Sequence, residues 1–386
     1  MTNDTLPIKR TLKPQDLLLR LVDSLGHARD AEIYLKLFSN KDHFAIIAAD
    51  EGVLREELDG VLYNLRVLMR LELYPVVLLL ASPEVARQIG VAEALSKAKL
   101  SLHYSETELN ELDRYAYIQE SLKKKQVPVI LLNPEKNLTN EMTKLAYELR
   151  AQKIIFLDRG GGLFDRQENA VVNLVNLRQE REALMAPGRL NAEDLLLLQR
   201  CDTIIANSGH KLFISIVNPI NLLRELFTVK GAGTMVELGS VIHSYTHWDE
   251  VDKTRLRTLL EVSFGKNIRD DFFKEKISHF YIEEDYQGAA LLKDFGEMSY
   301  LSKFSVGTEA RGLGVGRDLW SHLLKVQDKL FWRSDPGKHI ASWYAKQCDG
   351  MHKTSRWTVF WKGIEPAKIP KVIDWALKQP VDFDDY

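Results

Sequence analysis

The sequence predicts an α/β protein of two domains, an open sheet sandwiched by helices followed by a smaller α+β domain. The chain has 386 residues, which exceeds what one hydrophobic core usually supports. Short all-apolar segments alternate with helical stretches over the first 230 residues, and a different order of elements follows. The Gly-rich segment KGAGT at 230–234 separates the two patterns, so we place the domains at residues 1–235 and 240–386.

The first domain reads as alternating helices and buried strands. An N-terminal helical arm is expected over 14–38, because leucines recur there at helical spacing. The predicted strands are FAIIAA at 44–49, PVVLLLA at 75–81, PVILLN at 128–133, KIIFLD at 153–158, TIIANS at 203–208 and FISIVN at 213–218. The predicted helices cover 54–70, 83–97, 138–151 and 170–200. Apolar strands separated by helices indicate a parallel sheet covered on both faces.

The second domain begins with three successive antiparallel strands. These are ISHFYIEE at 277–284, GAALLK at 288–293 and MSYLSKFSV at 298–306. A Gly-rich turn, a helix at 315–329 and two further strands, LFWRS at 330–334 and RWTVFWKGI at 356–364, follow in order. Antiparallel strands that pass through such a turn into a helix predict an α+β domain.

Composition narrows the classes of function. A net charge of -2 provides no basic field to attract nucleic acid or an anionic membrane, so a small-molecule partner is favoured. Cys201 and Cys348 lie far apart without metal-ligand spacing, and we expect neither a disulfide nor a metal site. No apolar run of about 18 residues appears, and the chain opens without a long apolar segment. A cytoplasmic protein is expected.

The stretch Arg311-Gly312-Leu313-Gly314-Val315-Gly316 lies between a predicted strand and a predicted helix. Backbone N–H groups at a helix N-terminus can hold a pyrophosphate, and glycines permit its close approach. A tight strand-to-helix turn is the structural alternative. A dinucleotide fold would place this turn after the first strand of a βαβ unit, whereas here it follows three antiparallel strands.

Arg311, Gly314 and Gly316 resemble the R/Q-x-x-G-x-G/A motif of GNAT acetyltransferases. The resemblance implies acetyl-CoA as the co-substrate. The residues it implies for acetyl-CoA binding are Phe304, Ser305, Val306, Arg311, Gly312, Gly314, Val315 and Gly316.

Residues 255–363 resemble more specifically the acetyltransferase domain of vertebrate-like N-acetylglutamate synthases and bifunctional bacterial synthase/kinases. The shared words, in order, are FGK, RDDFF, YLSKFSV, LFWRS, WY, DG and WTVFW. The first half resembles the amino-acid kinase domain of that family, chiefly through GGLFD at 161–165 and NLLRELFTVKGAGT at 221–234. The family implies a glutamate N-acetyltransferase of arginine biosynthesis.

The kinase-like half departs from the family at both phosphate-binding turns. The family's K-x-G-G turn aligns with Ala48-Ala49-Asp50-Glu51, and its H-G-A-G-P turn aligns with residues 79–83, LLASP. Carboxylates there repel ATP, so we expect a pseudokinase. Glu225 and Gly231 match the spacing at which arginine-regulated members hold arginine, which makes arginine a candidate effector. The family also implies a homo-oligomer, with a tetramer favoured.

The resemblance implies roles in acetyl transfer. Tyr344 matches the tyrosine that protonates the leaving CoA thiolate, and the strand Phe304–Val306 matches the one that supplies a backbone N–H to the oxyanion. Lys266, Lys303 and Arg333 match positions near the glutamate carboxylates, for which cations are suitable partners. Each also has an ordinary structural reading, and no general base is singled out.

After LFWRS the family carries a second arginine and, three residues on, an asparagine, where this chain has Asp335 and Lys338. This departure keeps two alternatives open. One is a GNAT enzyme for another amine, such as ornithine. The other is a non-catalytic regulatory protein that binds arginine or CoA.

Overall fold

A computed structural model describes residues 45–227, 232–310, 314–338 and 340–384. The helical arm predicted at 14–38 lies outside these residues. The chain divides into two compact units, the first ending at Leu238 and the second beginning at Gly239.

The first unit alternates strands and helices. Its strands are β1 (Ile46–Asp50), β2 (Val76–Leu80), β3 (Leu102–Tyr104), β4 (Val127–Leu131), β5 (Lys153–Leu157), β6 (Phe164–Asp165), β7 (Ala170–Val171), β8 (Leu174–Asn176), β9 (Phe213–Val217) and β10 (Thr234–Glu237). Its helices are α1 (Glu51–Glu56), α2 (Leu58–Arg70), α3 (Pro83–Ile89), α4 (Val91–Ala98), α5 (Glu111–Lys123), α6 (Leu138–Glu148), α7 (Leu177–Leu184), α8 (Ala192–Asn207) and α9 (Leu222–Phe227).

Within the described part of this unit, eight strands form one sheet in the order β3-β4-β2-β1-β5-β9-β10-β8. Pairing is parallel from β3 through β9, and β10 is antiparallel to β9. Successive residues of β1 enter opposite cores. Ile47 and Ala49 lie in the core on one face of the sheet, and Ile46 and Ala48 lie in the core on the other face. Helices cover both faces, so the predicted open α/β sandwich is confirmed.

Two predictions in the first unit were wrong. TIIANS at 203–208 was expected to be a strand, but residues up to Asn207 belong to helix α8. Leu198, Cys201, Ile204 and Ile205 are its buried residues, and their spacing is that of one helix face. The helix expected over 170–200 is replaced by β7, β8, α7 and the first half of α8.

The second unit is an α+β domain, as predicted. Its strands are β11 (Ile242–Tyr245), β12 (His279–Glu283), β13 (Gly288–Phe295), β14 (Met298–Val306), β15 (Leu330–Ser334), β16 (Gly350–Lys353) and β17 (Thr358–Lys362). Its helices are α10 (Lys253–Phe264), α11 (Val315–Val326), α12 (Ile340–Gln347) and α13 (Ile369–Lys378). The described strands form one sheet in the order β11-β12-β13-β14-β15-β17-β16. No helix among the described residues of either unit is long and apolar enough to cross a membrane.

Candidate active site

Strands β14 and β15 open away from each other in the middle of the second sheet. They pair in parallel only from Ser299 opposite Leu330 to Leu301 opposite Trp332. Strand β14 nevertheless continues to Val306, still paired with β13 on its other edge. Its last residues therefore present backbone groups along an edge that β15 does not cover.

A β-bulge adjusts the same stretch of β14. The register against β13 shifts between Leu291 and Leu292, which leaves Ser302 as the extra residue. Beyond the bulge, the amide of Gly307 donates to Gln287 O at 2.9 Å on the β13 side. Because amide direction alternates along a strand, the N–H groups of Phe304 and Val306 point to the open edge. The segment Phe304–Val306 thus offers donors where the sequence predicted an oxyanion site.

The Gly-rich turn ends beside this edge. Arg311 and Gly312 lie outside the described residues, but Gly314 has a φ of 77° and stands immediately before α11. A Cβ on Gly316 would lie 3.1 Å from Val306 Cγ2, so the first turn of α11 packs against the end of β14. Val315 is buried below it. The helix N-terminus, with its positive end of the dipole, therefore lies next to the open edge.

Tyr344 lies on α12 within an aromatic cluster. Its ring centroid is 5.4 Å from that of Trp332 and 6.5 Å from that of Phe304, which joins it to both diverging strands. Burial raises the pKa of the Tyr344 phenol, so the hydroxyl keeps its proton at neutral pH. The structure brings this predicted acid to the same face of the sheet as Phe304 and Trp320.

The predicted substrate cations lie apart from that cluster. Lys303 is 6% exposed, sits 4.7 Å from the Phe272 ring centroid, and forms an ion pair with Asp382. Burial lowers the pKa of Lys303, and Asp382 opposes that fall. Arg333 donates to backbone carbonyls at the end of α13, including Ala376 O at 2.9 Å. Lys266 is half-buried just after α10.

Sequence reasoning missed Asp382 and the tryptophans of the aromatic cluster. The indole N–H groups of Trp320 and Trp332 are buried without an acceptor among the described residues. Aromatic residues at helical or strand spacing usually belong to a core, so the sequence did not distinguish these tryptophans from ordinary packing residues. Asp382 gave no local signal, because its partner Lys303 is 79 residues away.

In the first unit, carboxylates gather at the carboxyl edge of the parallel strands. Asp50 ends β1 and caps α1 through a 2.8 Å bond from Val53 N. Ser82 follows β2 and caps α3. Burial raises the pKa of Asp158, which follows β5, and the Asp50 carboxylate adds to the rise. Both predicted departures from the phosphate-binding turns therefore lie at the edge where ligands of such sheets bind.

Glu225 has partners inside its own unit. Its carboxylate accepts from Lys153 Nζ at 2.9 Å, Ser215 Oγ at 2.6 Å and Ala232 N at 2.9 Å. Gly231, the other residue of the predicted arginine site, lies outside the described residues. Arginine binding at this position stays a prediction.

Comparisons with known proteins show what the chain is similar to. Residues 243–377 match the family model described as NAT, N-acetyltransferase, of N-acetylglutamate synthase. The acetylglutamate kinase of Xanthomonas campestris is 29% identical over 88% of this chain and 95% of its own length. The mitochondrial N-acetylglutamate synthase of Danio rerio is 32% identical over 62% of this chain and 47% of its own length.

A solved structure shares the folds of the two units. The N-acetylglutamate synthase of Neisseria gonorrhoeae, complexed with coenzyme A and N-acetyl-glutamate, has a TM-score of 0.52 at 14% identity, over 88% of this chain and 99% of its own. At that identity the likeness shows the fold alone. The chain is an N-acetyltransferase whose residues 243–377 are similar to the acetyltransferase domain of N-acetylglutamate synthase, and it shares the fold of the Neisseria protein.

Proposed function

We propose that this chain transfers the acetyl group of acetyl-CoA to the α-amino group of L-glutamate, forming N-acetylglutamate for arginine biosynthesis. The observation that supports the proposal most is the divergence of β14 from β15 after Leu301 and Trp332. This opening has outward-facing amides on one side and the start of α11 at its end. Such an opening suits acetyl-CoA, with the thioester beside the amides of β14 and the pyrophosphate bound at the N-terminus of α11.

The proposed chemistry uses few groups of the chain. The unprotonated amine attacks the thioester carbonyl, and an N–H of Phe304 or Val306 donates to the oxyanion. The attacking nitrogen loses its extra proton to water, collapse of the tetrahedral intermediate breaks the C–S bond, and the thiolate takes a proton from the Tyr344 hydroxyl, which regains one from solvent. The products are N-acetylglutamate and free CoA thiol. We propose Arg311, Gly312, Gly314, Val315 and Gly316 as the pyrophosphate turn.

The acceptor carboxylates require cations, and Lys266, Lys303 and Arg333 are the proposed partners. Lys303 is already desolvated, so an ion pair formed there is less screened than one at the surface. The present ion pair of Lys303 with Asp382 indicates that this cation accepts a carboxylate.

The test is free thiol release from acetyl-CoA by the purified chain, with and without glutamate, joined to mass detection of the acetylated product. Glutamate-dependent release with N-acetylglutamate as the product is expected. Thiol release with other amines and none with glutamate would refute the proposed acceptor while leaving the acetyl-CoA site in place.

Ornithine is a second candidate acceptor, favoured by one observation. Asp335 stands where the family carries a carboxylate-binding arginine, and its Oδ1 accepts from Gly337 N at 2.9 Å. A carboxylate there suits the distal ammonium of a diamino acid better than a second carboxylate. Competition between ornithine and glutamate at equal concentration separates the two.

We also propose that the first unit carries out no phosphoryl transfer, although the Xanthomonas relative is named a kinase. Asp50 and Ser82 cap helices at the positions of the family's phosphate turns, and the carboxylate of Asp50 repels phosphate. Incubation with ATP and N-acetylglutamate should yield no ADP above the rate without acceptor.

We propose L-arginine as an effector of this chain, because it is bound in a Neisseria N-acetylglutamate synthase structure. The test measures whether added L-arginine changes the rate of thiol release.

A further inference from the structure

A short segment after α13 lies on the cations predicted to bind the acceptor. We call residues 379–384 the C-terminal strap. The carboxylate of Asp382 pairs with Lys303, and both side chains are largely buried, at 10% and 6% exposure. Lys303 Nζ also lies 5.7 Å from the Phe383 ring centroid. The strap therefore covers the one predicted acceptor cation that is fully desolvated.

Backbone and ring contacts hold the strap in place. Asp382 O accepts from Arg269 N at 3.0 Å, and Asp384 N donates to Asn267 O at 3.1 Å. Between them Phe383 forms an antiparallel bridge with Ile268, and its ring centroid is 4.6 Å from that of Phe264.

Arg333 also binds the strap. Its guanidinium donates to Gln379 O at 2.9 Å and to Pro380 O at 2.6 Å, where α13 leads into the strap. Two cations predicted for the acceptor, Lys303 and Arg333, thus both hold the strap in the described structure.

We propose that the C-terminal strap is an internal competitor of the acceptor, with the Asp382 carboxylate occupying the position that an acceptor carboxylate takes on Lys303. The inference rests on the proposed function, because it takes the acceptor to carry a carboxylate that pairs with Lys303. Binding exchanges one carboxylate for another on the same ammonium.

The exchange explains how a buried ion pair can yield to a ligand. Removing Asp382 alone leaves Lys303 buried and unpaired, which is costly, but an incoming carboxylate restores the pair as it displaces the strap. What the ligand must overcome is the tethered position of Asp382 and the contacts of Phe383. A tethered group competes at a high effective concentration without any gain in intrinsic affinity.

The test measures binding of glutarate, a dicarboxylate with the carbon chain of glutamate and no amine, by calorimetry on the full chain in the presence of CoA. Asp382→Asn should bind glutarate about tenfold more tightly than the wild type, if the closed strap is about ten times as populated as the open one. Phe383→Ala loosens the strap while leaving both charged groups of the ion pair in place, and it should also bind glutarate more tightly. Asp384→Asn removes the same charge from an exposed position of the strap and should bind as the wild type does.

Glutarate affinity unchanged or weaker in both Asp382→Asn and Phe383→Ala overturns the inference, as does an equal gain in Asp384→Asn. Thermal unfolding of each variant identifies a misfolded one, and Phe383→Ala then decides. Glutamate-dependent thiol release is scored separately. If glutarate binds more tightly while no variant acetylates glutamate, the strap competes as inferred and the proposed acceptor is wrong.

Discussion

At the scale of single residues, burial gives Tyr344 its proposed use. Packed against Trp332 and Phe304, the phenol has a raised pKa and stays protonated through the neutral range. Because such a donor keeps its proton throughout the working pH range, its ionisation should cause no fall in the rate at alkaline pH within that range. The donor is also available each time a thiolate leaves.

Tyr344→Phe should lower thiol release by about 10²-fold, the usual contribution of a positioned acid, with the acetyl-CoA affinity retained. Tyr281→Phe is the matched control. Tyr281 belongs to the same hydrophobic cluster, but its hydroxyl accepts from Gln327 Nε2 at 3.0 Å. Its loss should cost about 1 kcal/mol of stability and little activity. Equal activity losses in the two variants would show that packing, not proton donation, was disturbed.

Glu225 illustrates a charge used for stability. Burial raises its pKa, but Lys153, Ser215 and the Ala232 amide outweigh burial, so the pKa of the folded carboxyl lies below its ordinary value. A lowered folded pKa stabilises the fold above the ordinary value of 4.5, and this stabilisation is lost as the pH falls through the lowered one.

Glu225→Gln should therefore reduce the free energy of unfolding by about 3 kcal/mol at pH 7, because it leaves Lys153 without its charge partner. The loss should shrink in acid, where the wild-type carboxyl is itself protonated. Denaturant titrations at pH 7 and at a series of decreasing pH values measure how the loss changes. Glu182→Gln, at an exposed position, should change stability by less than about 0.5 kcal/mol.

At the scale of elements, a helix or strand was predicted correctly where its local sequence pattern fits only one type of secondary structure. MSYLSKFSV was predicted at the bounds of β14, whose Met298 and Tyr300 enter one core and whose Leu301 and Phe304 enter another. TIIANS was misread because three consecutive apolar residues fit either a strand or part of a helix, and the i, i+3, i+4 spacing from Leu198 to Ile205 decides for α8. The strap contacts, the bulge at Ser302 and the divergence of β15 depend on tertiary pairing, which no local window contains.

The start of α11 depends on a glycine at Gly314, whose φ of 77° lies in the left-handed region. Gly314→Ala should cost about 1 kcal/mol of strain and shift the first-turn amides, weakening CoA binding by roughly fivefold. Gly90→Ala is the control, since Gly90 has the same φ before α4 and a Cβ there meets nothing within 4 Å. It should lose similar stability but bind CoA normally in calorimetry. Normal CoA affinity in Gly314→Ala would remove this turn from the proposed site.

At the scale of the whole molecule, each hydrophobic cluster among the described residues belongs to one unit. The two clusters on either face of the first sheet use residues 45–236, and the three clusters of the second sheet use residues from 242 onward. The division into two domains can be predicted from the sequence, because the chain length and the change in the order of elements already indicate two cores. These separate cores support the proposed domains, 1–235 and 240–386, as units with their own stability.

Heat should accordingly unfold the chain in two steps that respond to different core substitutions. Leu68→Ala in α2 and Leu260→Ala in α10 each remove a fully buried side chain, at a cost of about 2–5 kcal/mol to the cluster that loses it. Leu68→Ala should lower the melting temperature of one calorimetric transition and Leu260→Ala that of the other. Glutarate with CoA should raise only the transition that Leu260→Ala lowers, because the proposed acceptor and CoA groups all lie in the second unit. A single transition that both substitutions shift equally would show one cooperative body, and the domain proposal would then be wrong.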